Sequence, residues 1–245
     1  MRRLCRFSDH QPLSINMAVN NPFKMASFYI TQAMQKLNIT FLSHPQLHTQ
    51  PHEATLLATH HSKPLSDLVK IMLKDSNNII ANALFKTLGH YRSHTQGSWS
   101  NGGKALVDIL RQHTKINTAQ VMLRDGAGLS RYNLCTPSQI AQLLQTIHND
   151  PSLSRYILPA LPIAGVDGTL ANRMPSLRTT RAFRAKTGSM TGVSNLAGFL
   201  TVAHHQSLIT VLMIHSFLPK VKEIRVWEDH LITKLTQNHS SPDDA

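Results

Sequence analysis

The sequence has few acidic residues and few aromatic residues. Of its 245 residues, 25 are Lys or Arg and 13 are Asp or Glu, so the net charge is +12. Such a charge favours an anionic partner, which includes nucleic acid, an anionic membrane surface or an anionic polymer. The basic residues are scattered, however, and aromatic residues make up only 6%. Nucleic-acid readers cluster their charge and stack bases on aromatic rings, so a basic nucleic-acid-binding protein is the least favoured alternative.

Long apolar runs and closely spaced cysteines are also lacking. No stretch approaches the roughly 18 apolar residues of a transmembrane helix. Met1-Arg2-Arg3 resembles the start of a signal peptide, but residues 7–12 are polar where an apolar segment should follow, so no signal peptide is expected in this chain. Cys5 and Cys135 lack metal-ligand spacing, and a disulfide between them is left open. Cys135 is predicted to be half-buried.

The order of patterns predicts an α+β fold, with helices in the middle and antiparallel strands at the end. Apolar residues alternate from Leu13 to Val19, which predicts a strand. Gly89 is predicted to cap the helix that it follows. The predicted helices cover about residues 23–37, 64–74, 79–88, 102–113, 136–147, a stretch from 150, and 221–235. The other predicted strands cover about residues 39–42, 120–124, 182–188, 193–203 and 207–215.

Two short motifs carry chemistry. Ser76-Asn77-Asn78 lies between two predicted helices, and Lys186-Thr187-Gly188-Ser189 lies on a strand that opens a hairpin. Each motif is weak by itself, and Ser76 could simply cap the following helix. In this order and in these contexts, the two motifs are typical of penicillin-recognising serine acyltransferases.

Longer segments extend this resemblance. They are residues 68–82, 125–133, 161–170 and 185–189. All four resemble the D-alanyl-D-alanine carboxypeptidase/endopeptidases of the penicillin-binding protein 4 type (peptidase S13-like), and the similarity runs from about residue 13 to about residue 236. The resemblance implies part of a transpeptidase (β-lactamase-like) domain, an antiparallel sheet with a helical subdomain. It also implies a serine-type enzyme of the periplasm that uses no cofactor, acts on peptidoglycan peptides ending in D-Ala-D-Ala and, as the full protein, binds β-lactam antibiotics.

The resemblance also implies roles for single residues. Ser76 and Lys186 would be catalytic: Ser76 would share in proton transfer, and Lys186 would set the field of the cleft and hold Ser76. The substrate-binding residues would each contact a different part of the peptide. Asn78 would bind the peptide backbone of the substrate, and Thr187 would bind its terminal carboxylate. Gly188 would let the substrate lie against the strand, and the N–H of Ser189 would donate a hydrogen bond to the oxyanion.

The sequence lacks the Ser-x-x-Lys that supplies the nucleophile in these enzymes. No residue three positions before a lysine is Ser or Thr, and Ser66/Lys70 and Ser100/Lys104 are one residue too long. Ser66 and Lys70 could touch on a helix, but they do not lie where the family places its nucleophile. The chain alone is therefore expected to be inactive, or to be a non-catalytic remnant that binds D-Ala-D-Ala or peptidoglycan.

The same resemblance predicts how the chain is organised. Residues 1–20 would be a strand returning from inserted domains, residues 21–238 the C-terminal portion of the transpeptidase-like domain, and residues 239–245 a disordered tail. A natural truncation, a broken gene and a misassigned start remain equally open explanations.

Two other patterns are predicted to be structural. His90 and His94 have helical spacing, but Gly89 and Gly97 predict a loop there, so no metal site is expected. Asp125-Gly126-Ala127-Gly128 lacks the further residues of a phosphate or calcium loop, and a sharp turn is expected.

Overall fold

The computed structural model describes residues 2–5, 13–16, 18–40, 59–202 and 207–238, and it divides into two compact units, 1–60 and 61–245. In the first unit, strand β1 (Arg2–Cys5) pairs antiparallel with strand β2 (Leu13–Asn16). Helix α1 (Pro22–Lys36) follows, and the side chain of Asn21 caps it by accepting a hydrogen bond from the Lys24 N–H. The alternating pattern therefore marked β2 correctly, whereas β1 was not predicted.

The second unit contains six α-helices among its described residues, each close to a predicted one. Pro137 and Pro151 stand at the first turns of their helices, and Ser98 and Thr136 form capping boxes that bond the free N–H groups. The helices are α2 (Leu65–Lys74), α3 (Asn78–Ser93), α4 (Trp99–His113), α5 (Pro137–Asn149), α6 (Pro151–Ala160) and α7 (Val221–Asn238).

The centre of this unit is an antiparallel sheet of strands β3 (Phe183–Met190), β4 (Val193–Thr201) and β5 (Ser207–His215), in that order. Both faces of the sheet are covered, which explains the nearly continuous apolar sequences of β4 and β5. On the face we call the α7 face, Phe183, Leu196 and Leu200 pack with Ile232 of α7. On the opposite face, the α5 face, Phe199 packs with Leu144 of α5, and α2 and α6 contribute Leu73 and Leu158. The predicted α+β class and the three C-terminal strands are confirmed.

Two local predictions were wrong. Helix α3 continues past Gly89 to Ser93, and His94 caps it with a left-handed φ of 54°. Gly89 is instead a packing residue, because a Cβ there would collide with the Asn101 side chain at the start of α4. The predicted strand at 120–124 is the end of a 3-10 helix (Thr118–Gln120) followed by one isolated bridge between Met122 and Leu134. Of the strand predicted at 39–42, residues 39 and 40 have no regular structure, and 41 and 42 lie outside the described residues, as does the tail 239–245.

Candidate active site

Ser76 lies in the short break between α2 and α3. Its φ is 54°, a left-handed conformation that costs a non-glycine residue free energy and is found preferentially at functional sites. The interpretation of Ser76 as the helix cap was wrong, because Asn77 caps α3 by accepting a hydrogen bond from the Ile80 N–H at 3.0 Å. The Ser76 hydroxyl is thereby left to make a contact outside the helix.

That contact is with Lys186 on β3. The ammonium Nζ of Lys186 donates to Ser76 Oγ at 2.7 Å and to the carbonyl of Thr187 at 2.6 Å. Burial lowers the pKa of the Lys186 ammonium below its ordinary value, because the charged form loses hydration. A lysine of lowered pKa exchanges protons more readily near neutral pH, so the pair suits proton transfer.

A partly buried ion pair holds the end of α2 against the sheet. Lys74 Nζ, at the last position of α2, contacts both carboxylate oxygens of Asp167 and the carbonyl of Leu161, each at 2.6 Å. Asp167 also accepts a hydrogen bond from the Ile163 N–H at 2.8 Å, and Ile163 bridges to Arg184 on β3. Because Ser76 follows Lys74 by two residues and Lys186 follows Arg184 by two, this link brings the two motifs together.

Gly168 is required at this junction. Its φ is 57°, and a Cβ there would lie 2.6 Å from the carbonyl oxygen of Lys74. A side chain would therefore push α2 away from the segment that pairs with β3. The Gly-Val-Asp-Gly segment of the sequence thus serves to seat α2.

Thr187 and Ser189 point to the α7 face at the outer edge of β3. Thr187 Oγ1 donates to Thr169 Oγ1 at 2.8 Å, and the guanidinium of Arg225 donates to Ser189 Oγ at 2.8 Å. Neither Thr169 nor Arg225 was predicted from the sequence as a partner of these residues. Thr169 lies directly after Gly168, within a segment already linked to the motifs, but Arg225 has no signal because it looks like an ordinary charged residue of an amphipathic helix.

The backbone of β3 is partly open at this edge. The segment before β3 pairs with its first half, since the Ala164 N–H donates to the Phe183 carbonyl and the Ala185 N–H donates to the Pro162 carbonyl, both at 3.0 Å. Backbone groups alternate in direction along a strand, so Thr187 and Ser189 direct their N–H groups to the same edge. In the part of the chain that the structure describes, no strand pairs with this second half.

The remaining predicted residues flank the pair. Asn78 is exposed at the first position of α3, two residues after Ser76. Gly188 is exposed, and a Cβ added there would meet only Asn195, at ordinary contact distances from 3.7 Å. Beside it, the side-chain oxygen Oδ1 of Asn195 is buried without a hydrogen-bond partner among the described residues.

Other candidates do not join this site. His90 lies on α3, so the loop predicted there was wrong, and its Nδ1 lies 2.6 Å from the Thr95 carbonyl. Within the described residues, no group of three or more His, Cys, Asp or Glu side chains could hold a metal ion. Ser66 and Lys70 are both exposed on α2. Among the same residues, no helix is long and apolar enough to cross a membrane.

Two structural predictions agree with the geometry. The carboxylate of Asp125 accepts hydrogen bonds from the N–H groups of Gly128, Leu129 and Ser130, which closes the sharp turn that was expected. Cys135 is half-buried, and burial raises the pKa of its thiol.

Comparison with known proteins adds independent evidence. The model of the D-Ala-D-Ala carboxypeptidase 3 (S13) family matches residues 5–231. A D-alanyl-D-alanine carboxypeptidase (DacB) of Haemophilus influenzae is 36% identical over 216 residues, which are 87% of this chain and 44% of the relative. A D-alanyl-D-alanine carboxypeptidase of Actinomadura sp. is 32% identical over 79% of this chain and 37% of the relative. The chain thus spans less than half the length of these curated relatives.

Solved structures agree with the sequence comparison. Penicillin-binding protein 4 of Haemophilus influenzae superposes with a TM-score of 0.81 at 31% identity, over 96% of this chain and 56% of that structure. The same protein has also been solved in complex with a β-lactam. A predatory endopeptidase of Bdellovibrio bacteriovorus, with a TM-score of 0.60 at 19% identity, shares the fold. With a family model that covers nearly the whole chain, this protein belongs to the D-Ala-D-Ala carboxypeptidase 3 (S13) family, whose members are serine-type carboxypeptidases.

Proposed function

We propose that this chain forms two walls of a cleft for peptides ending in D-Ala-D-Ala, and that the acylated serine must come from residues outside these 245. The observation that carries the proposal is the 2.7 Å hydrogen bond between Lys186 and Ser76, which joins the two motifs. The sequence contains no Ser-x-x-Lys that could add a nucleophile to them. The chain therefore has the groups that bind and exchange protons but not the group that would be acylated.

Ser76 and Lys186 would act together on the leaving nitrogen of the substrate. Because the lysine ammonium donates to Ser76 Oγ, the hydroxyl keeps its own proton available for a second acceptor. A peptide nitrogen expelled during acyl transfer is such an acceptor. The half-buried Lys186, whose pKa is lowered by desolvation, can return a proton to Ser76 at low cost.

The open half of β3 would bind the peptide. An extended peptide can pair with the free edge of a strand, and Gly188 would let it approach closely. The hydroxyl of Thr187 would bind the terminal carboxylate, the N–H of Ser189 would stabilise the oxyanion, and Asn78 would bind the peptide backbone from the opposite wall. The guanidinium that bonds Ser189 Oγ adds positive charge on the carboxylate side.

The whole protein would be a periplasmic enzyme of peptidoglycan metabolism that β-lactams acylate. Residues 1–20, which contain the paired strands β1 and β2, would return the chain from inserted domains, and residues 21–238 would be the C-terminal portion of the transpeptidase-like domain. The net charge of +12 would favour binding to an anionic wall. The chain by itself would bind the peptide without cleaving it.

Calorimetry tests the binding half of this proposal. We expect a synthetic acyl-D-Ala-D-Ala peptide to bind this chain weakly, and the matched acyl-L-Ala-L-Ala peptide to bind at least tenfold more weakly, since the proposed cleft is one for D-Ala-D-Ala termini. No heat with either peptide at millimolar concentration, in a sample shown to be folded by circular dichroism, would overturn it.

A further inference from the structure

Two hydroxyl groups of the candidate site lie on one face of β3. Thr187 and Ser189 are two positions apart, so both side chains point to the α7 face, about 6.6 Å from each other along the strand. A carboxylate that accepts a hydrogen bond of about 2.7 Å on each of its oxygens spans a distance of this size. The spacing therefore suits one carboxylate held by both hydroxyls.

Arg225 on α7 determines what the Ser189 hydroxyl can do. The guanidinium nitrogen Nη2 of Arg225 donates to Ser189 Oγ at 2.8 Å. Because Oγ accepts this bond, the hydroxyl keeps its own proton for an acceptor outside the pair. A guanidinium stays protonated at physiological pH and carries further N–H donors, so positive charge remains beside that hydroxyl.

Among the described residues, no carboxylate pairs with this guanidinium. Glu228 and Asp229, which follow it on α7, both pair with Arg173, at 2.8 Å and 2.6 Å. Arg225 itself is exposed, and a bond from an exposed arginine to a neutral hydroxyl contributes little to folding. The same cation beside an arriving carboxylate forms the stronger, charge-assisted kind of contact. The unpaired charge therefore suits an anionic ligand better than it suits the fold.

We propose that Arg225 is a specificity-determining residue of this site: it makes a free terminal carboxylate necessary for tight binding of the peptide, a role that rests on the function proposed above. The carboxylate lies between the hydroxyls of Thr187 and Ser189. Thr187 exchanges its hydrogen bond to Thr169 for one to the ligand, and Ser189 donates the proton that Arg225 leaves free. The guanidinium stabilises the negative charge from behind Ser189, so a peptide with a neutral end loses this contribution.

Calorimetry of the full chain with two peptides tests this role. Acyl-D-Ala-D-Ala carries the carboxylate, and its C-terminal amide has the same length and stereochemistry without the charge. We expect the parent to bind the acid at least tenfold more tightly than the amide, because hydrogen bonds to a charged group typically contribute about that much. Arg225→Gln keeps a hydrogen-bond donor but removes the charge, and should reduce the preference to about threefold or less.

Two further variants separate the position of the charge from its amount. Lys234→Gln removes one positive charge at an exposed position nine residues later, on the opposite side of α7, and should keep the tenfold preference. Arg225→Lys retains the charge and should keep a preference of at least about fivefold. Circular dichroism confirms that each variant is folded.

The outcomes separate this role from the proposed cleft. If the parent bound the acid but Arg225→Gln kept the full preference, Arg225 would have no such role and the cleft would stand. The same would follow if the parent bound acid and amide equally. Equal loss of preference in Arg225→Gln and Arg225→Lys, or in Arg225→Gln and Lys234→Gln, would also overturn the role. A folded parent that bound neither peptide would remove the cleft, and this role with it.

Discussion

The ammonium of Lys186 and the hydroxyl of Ser76 are hydrogen-bonded at 2.7 Å although 110 positions separate them in the chain. Lys186 lies on strand β3, and Ser76 lies between two helices with its own backbone in the left-handed conformation. The contact therefore depends on both the strained backbone at residue 76 and the burial of Lys186. Each dependence gives a prediction that can be measured on this chain.

Glycine at position 76 should give a more stable fold than alanine. Both Ser76→Gly and Ser76→Ala remove the hydroxyl, but only glycine adopts a φ of 54° without steric cost. We expect the free energy of unfolding of Ser76→Gly to exceed that of Ser76→Ala by about 1 kcal/mol. Urea unfolding measures both, and equal stability of the two variants would show that the left-handed conformation is not strained.

Replacing Lys186 should change how stability depends on pH. The folded pKa of Lys186 is lowered, so between that pKa and the ordinary value of 10.5 the unfolded chain binds a proton that the folded chain does not. The free energy of unfolding therefore rises with pH across this window and is lowest below it. We expect Lys186→Met to lose this rise. Lys104→Met, at an exposed position, reports the effect of removing a lysine charge alone. The same pH profile in both variants and the parent would contradict the account.

Gly188 and Gly198 should respond oppositely to alanine. At Gly188 a Cβ meets only Asn195 at 3.7 Å or more, so Gly188→Ala should unfold within about 0.5 kcal/mol of the parent. The same variant should lose at least tenfold in affinity for the D-Ala-D-Ala peptide, because the new methyl group would project from the same face of β3 as Lys186, into the proposed cleft. Gly198→Ala should be destabilised by several kcal/mol, since its Cβ would collide with the Arg184 carbonyl and Ala185. If the folded Gly188→Ala variant bound the peptide as tightly as the parent, the proposed cleft would be wrong.

The buried charges on α7 should matter far more than the exposed ones. Arg173 contacts Glu228 at 2.8 Å and Asp229 at 2.6 Å, and the Glu228 side chain is fully buried. We expect Arg173→Met to cost about 3 kcal/mol, because among the described residues it leaves the buried Glu228 carboxylate with only the Ser194 hydroxyl as a partner. Arg111→Met breaks an exposed pair with Asp108 and should cost less than about 1 kcal/mol. Thermal or urea unfolding of both variants provides the comparison.

Local patterns predicted the parts of the fold that local forces determine. The caps at Asn21, Thr136 and Asp150 and the nearly continuous apolar sequences of β4 and β5 fix their elements within a few residues. The prediction that Gly89 ends a helix was wrong because glycine both ends helices and permits close packing. Only the position of the neighbouring helix α4 decides between these two roles. The strand predicted at 120–124 was wrong because an apolar segment forms a strand only where a partner strand pairs with it.

The site was predictable only in part for the same reason. Ser76 and Lys186 belong to two motifs whose order in the sequence is recognisable, and the structure brings their side chains together. Lys74 and Asp167, which position α2, are separated by 93 residues and give no pattern. Arg225 reaches Ser189 only because α7 folds back onto the sheet. Such contacts depend on tertiary packing, which a single sequence does not display.

If these 245 residues form a cleft without a nucleophile, a β-lactam should not acylate them, and intact-mass spectrometry measures such acylation. After incubation of the folded chain with excess benzylpenicillin, we expect an intact mass unchanged from that of the untreated protein. The Haemophilus influenzae relative, treated in parallel, serves as the positive control. A stoichiometric increase by the mass of one penicillin, located by peptide mapping on a serine of this chain, would contradict the account.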